Sequence, residues 1–313
     1  MQAARDSVDT ELRRLGRSGL LSAGRLHMLA LDNPTGFEER LGPALCMSVS
    51  GLFGGPRELA MSSAAAVELA RGVFGASRGE WAGVEFGSPT ARMAGRGRMS
   101  LAVQALLQHV QRLNPDAAMR TLEVHAEMAR EYAAGKRTLA SWMAERRWDI
   151  DQLAYVKVVC RTRAWSAFVA PLMCGVVIAN ASEERARLLR RFAVLLGTAT
   201  YVAREADDPY IRSGRRSLPV LHALQSAEPG LREELLHALC TPKDPASYEL
   251  VEGTIDAASS LAYTRSFARH LARQAEAGLD QACSGLPPSE ERAFLDAIIE
   301  RTLWRTRPES LGN

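Results

Sequence analysis

A chain of 313 residues with 47% hydrophobic and 24% charged residues can bury a sizeable core, as one large domain or two small ones. Its net charge of +3, with no dense basic stripe interleaved with aromatics, argues against nucleic acid as a partner. The basic residues are nearly all arginine, the lysines being Lys136, Lys157 and Lys243.

At the start of the chain, Arg5, Asp6, Asp9 and Glu11 come too early for a secretory signal. Apolar periodicity then predicts helices at roughly 6–30, 38–54, 58–82, 96–112, 117–145, 149–180, 183–206, 216–225, 229–240, 247–283 and 289–305. Short breakers separate them: Asp32-Asn33-Pro34, Gly54-Gly55-Pro56, Asn114-Pro115-Asp116, Glu228-Pro229-Gly230 and Leu286-Pro287-Pro288. No alternating strand pattern stands between them. Long helices on short connections predict one all-α, antiparallel bundle over residues 1–313.

The longest apolar run, Ala164 to Ala181, contains Ser166, Pro171, Gly175 and Asn180. It reads as a buried helix broken at Pro171 and not as a membrane span. Five dispersed cysteines (Cys46, Cys160, Cys174, Cys240, Cys283) have no zinc spacing and read as buried thiols of a cytoplasmic protein. The six histidines form no H-x-x-x-H or H-E-x-x-H pattern, and neither a G-x-S-x-G elbow nor a Walker loop occurs.

One stretch organises the rest. Leu188, Leu189, Phe192, Leu195, Leu196, Ala199 and Val202 have the spacing of a helix with one buried face. It ends in Arg204-Glu205-Ala206-Asp207-Asp208, stopped by Pro209, and a loop carries Gly214-Arg215-Arg216-Ser217 into Leu218-Pro219. This resembles the second metal-binding stretch of the trans-isoprenyl diphosphate (polyprenyl) synthases, in which a "DDxxD" helix end is followed by "GK.(T/S)lP". Tyr155 to Gly175 resembles that family's "Y..i...KTa" helix, with Arg161-Thr162 in the Lys-Thr place. Glu39-Arg40-Leu41-Gly42-Pro43 resembles "GKRLRP", Ala64 to Leu69 resembles "aaavEl", and Pro89-Thr90 resembles "RG.pT.H". The tail from Gly253 to Arg305 is similar to the family's C-terminal helix pair.

The resemblance implies the isoprenoid-synthase type of helical bundle, with a central cavity between two aspartate-rich helix ends. It also implies a dimer burying early core helices, for which Leu101, Val103 and Leu106 are candidates. In the family two DDxxD stretches hold three magnesium ions on an allylic diphosphate; magnesium needs such hard oxygen ligands. This chain departs from that pattern. The first motif falls at residues 78–82, Arg78-Gly79-Glu80-Trp81-Ala82, without its aspartates. In the second, Arg204, Glu205 and Asp208 take the first, second and fifth positions.

Two site readings follow from the resemblance. Glu205, Asp207 and Asp208 are the candidate ligands for one magnesium ion, the alternative being solvent-facing pairs with Arg204 or Arg212. Arg40, Arg78, Arg161, Arg204 and Arg215, at the family's cationic or lost acidic positions, are the candidate diphosphate ligands, since arginine forks onto phosphate without metal. Three functions stay open. One is a polyprenyl synthetase-like partner, regulatory subunit or isoprenoid diphosphate binder unable to elongate a chain alone, working as a homodimer or with an intact synthase. The second is a prenyltransferase or terpene synthase-like enzyme with a reduced metal site. The third is a helical scaffold with no isoprenoid ligand.

Overall fold

The computed structural model describes residue 10 and residues 41–75, 89–207, 216–240 and 245–307, the side chains of 72–75, 89–96 and 98 excepted. The segment expected at 6–30 lies outside these residues. The helices are α1 (Leu41–Leu52), α2 (Arg57–Gly75), α3 (Pro89–Val110), α4 (Pro115–Ala144) and α5 (Gln152–Val159). A π-helical segment (Cys160–Val169) carries α5 into α6 (Ala170–Ile178). Then come α7 (Glu183–Asp207), α8 (Leu218–Ser226), α9 (Pro229–Cys240), α10 (Pro245–Ala257), α11 (Ser260–Ala282) and α12 (Glu290–Arg305). The fold is all-α, with no strand among the described residues.

Most expected segments are present, and the differences have local causes. Helix α3 starts at Pro89, ahead of the expected residue 96; proline is well suited to a first helical position because its missing N–H has no intrahelical partner there. The expected break at Pro171 is absent. The Ala170 amide instead reaches back to the Trp165 carbonyl, five residues away, in the last turn of the π segment. That wider winding relieves the clash between a proline ring and the carbonyl four residues before it. The expected 247–283 helix divides in two at Ser259, whose φ of 51° is left-handed.

Helix α7 is the axis of the bundle. Leu189, Phe192, Ala193, Leu196, Ala199, Val202, Ala203 and Ala206 are all buried, at the spacing the sequence displays. Glu183 and Glu184 in its first turn and Arg204 in its last complement the helix dipole. Helix α11 lies along it, and the π segment crosses it at Gly197, where a Cβ would come 2.8 Å from Ala164 Cβ and 3.0 Å from the Phe168 ring. Phe168 in turn meets Tyr201 edge-on, with ring centres 6.4 Å apart. On its other side the π segment meets α4 at Gly135, where a Cβ would come 2.6 Å from the Thr162 methyl. Two glycines thus set how closely the helices flanking the α7 terminus approach.

The apolar run is buried throughout Ala164–Ile178. Among the described residues no helix is long and apolar enough to cross a membrane. The expectation of uniformly buried thiols needs correction: Cys46, Cys174 and Cys283 are buried, Cys160 is half-buried and Cys240 is exposed. Cys240 is the last residue of α9 and lies at the surface.

Candidate functional site

The C-terminal end of α7 collects most of the described candidate residues. Arg204, Glu205 and Asp207 point in three directions, because successive helical residues turn by about 100°. Glu205 is 0% exposed. Its Oε1 accepts a 2.6 Å hydrogen bond from the Tyr155 hydroxyl of α5, and its Oε2 accepts the Leu218 amide at 3.0 Å. The carboxylate therefore ties α5, α7 and the start of α8 together. Burial pushes its pKa up, offset in part by the charge of Arg163, the Leu218 amide and the Tyr155 hydroxyl.

The neighbourhood reinforces this tie. Tyr155 Oη also lies 3.0 Å from the Arg216 carbonyl. The Arg216 side chain donates to the Trp142 carbonyl at 2.9 Å and lies over the Trp148 ring, 4.4 Å from its centre. Residues 216–218 are thereby pinned from both sides.

Asp207 faces outward, and its Oδ2 accepts from Arg305 Nη1 at 2.7 Å. Arg204 and Arg163 both approach the buried Tyr201 ring, their guanidinium carbons 6.0 Å and 5.5 Å from its centre. Arg161, the residue at the Lys-Thr position, is engaged elsewhere: its Nε lies 2.9 Å from Glu131 Oε2. Arg40, Arg78, Arg215 and Asp208 lie outside the described residues. Deeper in the bundle, Glu68 and Arg71 of α2 form a buried ion pair, with contacts of 2.8 Å and 3.0 Å. Such a pair costs desolvation that its paired geometry offsets.

These contacts correct two expectations. Glu205 is not solvent-facing but buried on Tyr155 and Leu218, and Arg212 lies outside the described residues. As magnesium ligands the described carboxylates do not fit: Glu205 has both oxygens turned inward onto hydrogen-bond donors, and Asp207 is turned out onto a cation. Among the described residues no group of three or more histidine, cysteine, aspartate or glutamate side chains is placed to hold a metal ion. Tyr155, Arg163 and Arg305 surround the site, yet their roles were missed in the sequence. The only sequence signal was Tyr155 at the head of the "Y..i...KT" resemblance.

The bundle and the helix end that closes it define an isoprenoid-synthase type of fold. The geranylgeranyl pyrophosphate synthetase of Pyrococcus horikoshii superposes with a TM-score of 0.81 at 19% identity, over 95% of each chain. Geranylgeranyl pyrophosphate synthase of Corynebacterium glutamicum, solved with isoprenyl diphosphate and magnesium, superposes with a TM-score of 0.79 at 17% identity, over 96% of this chain and 98% of the other. In sequence, the chain is 26% identical over 271 residues to the geranylgeranyl diphosphate synthase of Sulfolobus acidocaldarius, covering 79% of this chain and 81% of that one. No protein-family profile matches it. The chain thus has the fold of the trans-isoprenyl diphosphate (polyprenyl) synthases and is similar in sequence to one of them.

Proposed function

We propose that this chain is a polyprenyl synthetase-like protein of isoprenoid metabolism that binds an isoprenoid diphosphate through arginines and does not carry out magnesium-dependent chain elongation by itself. The supporting observation is Glu205. It occupies the second position of the eroded DDxxD stretch, and both its oxygens are spent on Tyr155 and Leu218. A carboxylate so placed serves as a packing tie and has no free face for a metal.

Binding falls to Arg204 among the described residues and to Arg40, Arg78 and Arg215 on the sequence resemblance. Arg161 reaches a phosphate only by leaving Glu131, so its contribution is secondary. The working form is a single-domain homodimer, or a heterodimer with an intact synthase, in the cytoplasm. The test is titration of the full chain with an allylic diphosphate in EDTA. Binding that survives chelation and weakens on Arg204→Ala or Arg78→Ala supports the reading, and binding that requires magnesium overturns it. The synthase activity named for the Sulfolobus relative favours a second reading, prenyl transfer with a reduced metal set that includes Asp208.

A further inference from the structure

The first turn of α12 borders a second cavity, of about 400 Å³. Along the helix it lies roughly 20 Å from the pairing of Arg305 with Asp207, at the opposite end of α12. Its other walls are α1 from Ala44 to Gly51 and the start of α2. The floor is apolar, from Ala44, Met47, Ala60 and Phe294. Charge enters from two helices: Arg57 opens α2, and Glu290 and Glu291 open α12.

The side chains of these three residues make no hydrogen bond or ion pair with a described residue, so none crosses the cavity between them. Neighbours that could neutralise them are engaged elsewhere. Glu58 holds Arg112 at 2.5 Å, and Arg292 holds Asp280 and Asp296 at 2.6 Å and 2.9 Å. Helix α12 is capped by Ser289, whose Oγ accepts the Arg292 amide at 3.2 Å, so neither glutamate is needed as a cap. Glu291 can lie across α1 because Gly51 has no side chain; a Cβ there would come 3.0 Å from Glu291 Oε1. Consecutive helical residues diverge by about 100°, so the two carboxylates offer two separate contacts and do not converge on one ion.

The lining thus presents one guanidinium, two spaced carboxylates and an apolar floor. Its complement carries one anionic and two cationic groups on a methylene stem. We propose that this cavity binds a free basic α-amino acid, such as L-arginine or L-lysine. The ligand carboxylate meets Arg57, which forks onto such groups, its two cationic groups meet Glu290 and Glu291, and its stem lies against Met47 and Phe294. The volume is in the range of small-molecule sites.

The experiment is calorimetric titration of the full chain with L-arginine and L-lysine, for wild type, Arg57→Gln, Glu290→Gln, Glu291→Gln and the remote exposed control Arg187→Ala. Glutamine keeps most of each stem, and thermal melts check that the variants fold. Three analogues each lack one charge of arginine: agmatine the carboxylate, Nα-acetyl-arginine the α-ammonium and norvaline the guanidinium. Wild type should bind both amino acids saturably. Deleting one charge, on the protein or on the ligand, should weaken arginine binding about fivefold, as for a solvent-open ion pair, with the control unchanged. Agmatine should bind Arg57→Gln at least as tightly as wild type, because the group that Arg57 meets is already gone. No saturable binding of either amino acid to the wild type overturns the site. So does wild-type affinity for arginine in any of the three glutamine variants, or a loss of agmatine affinity in Arg57→Gln. None of these ligands carries phosphate, so the result is independent of the diphosphate-binding reading.

Discussion

Replacing Glu205 in two different ways separates a packing tie from a metal ligand. In Glu205→Ala the Leu218 amide loses its acceptor inside the protein, while the Tyr155 hydroxyl keeps the Arg216 carbonyl at 3.0 Å as an alternative. One orphaned donor costs about 1–3 kcal/mol, and the vacated volume adds to that, so the variant is expected to lose roughly 2–4 kcal/mol. In Glu205→Gln every group finds a partner. The amide oxygen accepts from Leu218, the amide nitrogen donates to Tyr155 Oη, and the tyrosine proton turns to Arg216. The variant also escapes the cost of a buried charge, while giving up the attraction of Arg163. Near pH 7 it is expected to lie within about 1 kcal/mol of wild type.

The pH dependence has a defined sign. Burial raises the folded-state pKa of Glu205 above its ordinary 4.5, so folding favours the protonated form. Its stabilising contribution is fully present below about 4.5 and is lost as pH rises through the raised folded value. Wild type should therefore lose ground to Glu205→Gln between pH 4.5 and pH 7.5. Urea unfolding of the three proteins at those two pH values measures this. A Gln variant as unstable as the Ala variant at pH 7.5, or a wild type that gains on it with rising pH, would refute the reasoning.

Other expectations follow from single contacts. Gly197→Ala should cost about 1–3 kcal/mol in a thermal melt, because its Cβ would meet Ala164 at 2.8 Å. Asp207→Asn breaks an ion pair whose carboxylate is largely exposed and should cost under about 1 kcal/mol, less still in high salt. On α3, Leu101 is 2% exposed and belongs to the core, whereas Met99, Val103 and Leu107 form an exposed stripe at i, i+4, i+8, with Met119 and Leu122 of α4 also exposed. If the chain forms the proposed dimer, Val103→Glu should convert it to a monomer by light scattering, and an unchanged dimer mass would remove this stripe from the interface.

Helix α9 spans the same residues as its sequence pattern, because Glu228-Pro229-Gly230 marks its start without ambiguity. Helix α7 was equally legible from its apolar spacing. The inward turn of Glu205 was not. The pattern gives the face of a carboxylate but not its partner, and Tyr155 is 50 residues away in sequence. That Arg161 meets Glu131 while Arg163 approaches Tyr201 was hidden for a related reason. Both sit in the π segment, whose wider turn shifts side chains off the 3.6-residue register on which sequence patterns rest. The division at Ser259 left no signal, since Ala257-Ala258-Ser259-Ser260 contains no glycine or proline. The resemblance to the family depended on short motifs in order along the chain.

The most direct measurement is turnover. Purified full-length chain is incubated with isopentenyl diphosphate, an allylic diphosphate and magnesium, and the products are resolved by chain length. Each lost metal contact on the leaving diphosphate is worth about 4 kcal/mol at ~4 Å and an effective dielectric of about 20, so losing two slows ionisation by roughly five orders of magnitude. Arginines that grip the phosphate equally in ground and transition states do not restore that rate. The expected result is no longer product. Steady elongation, abolished by Glu205→Gln or Asp208→Asn, would contradict it and show that the second motif still holds its metal.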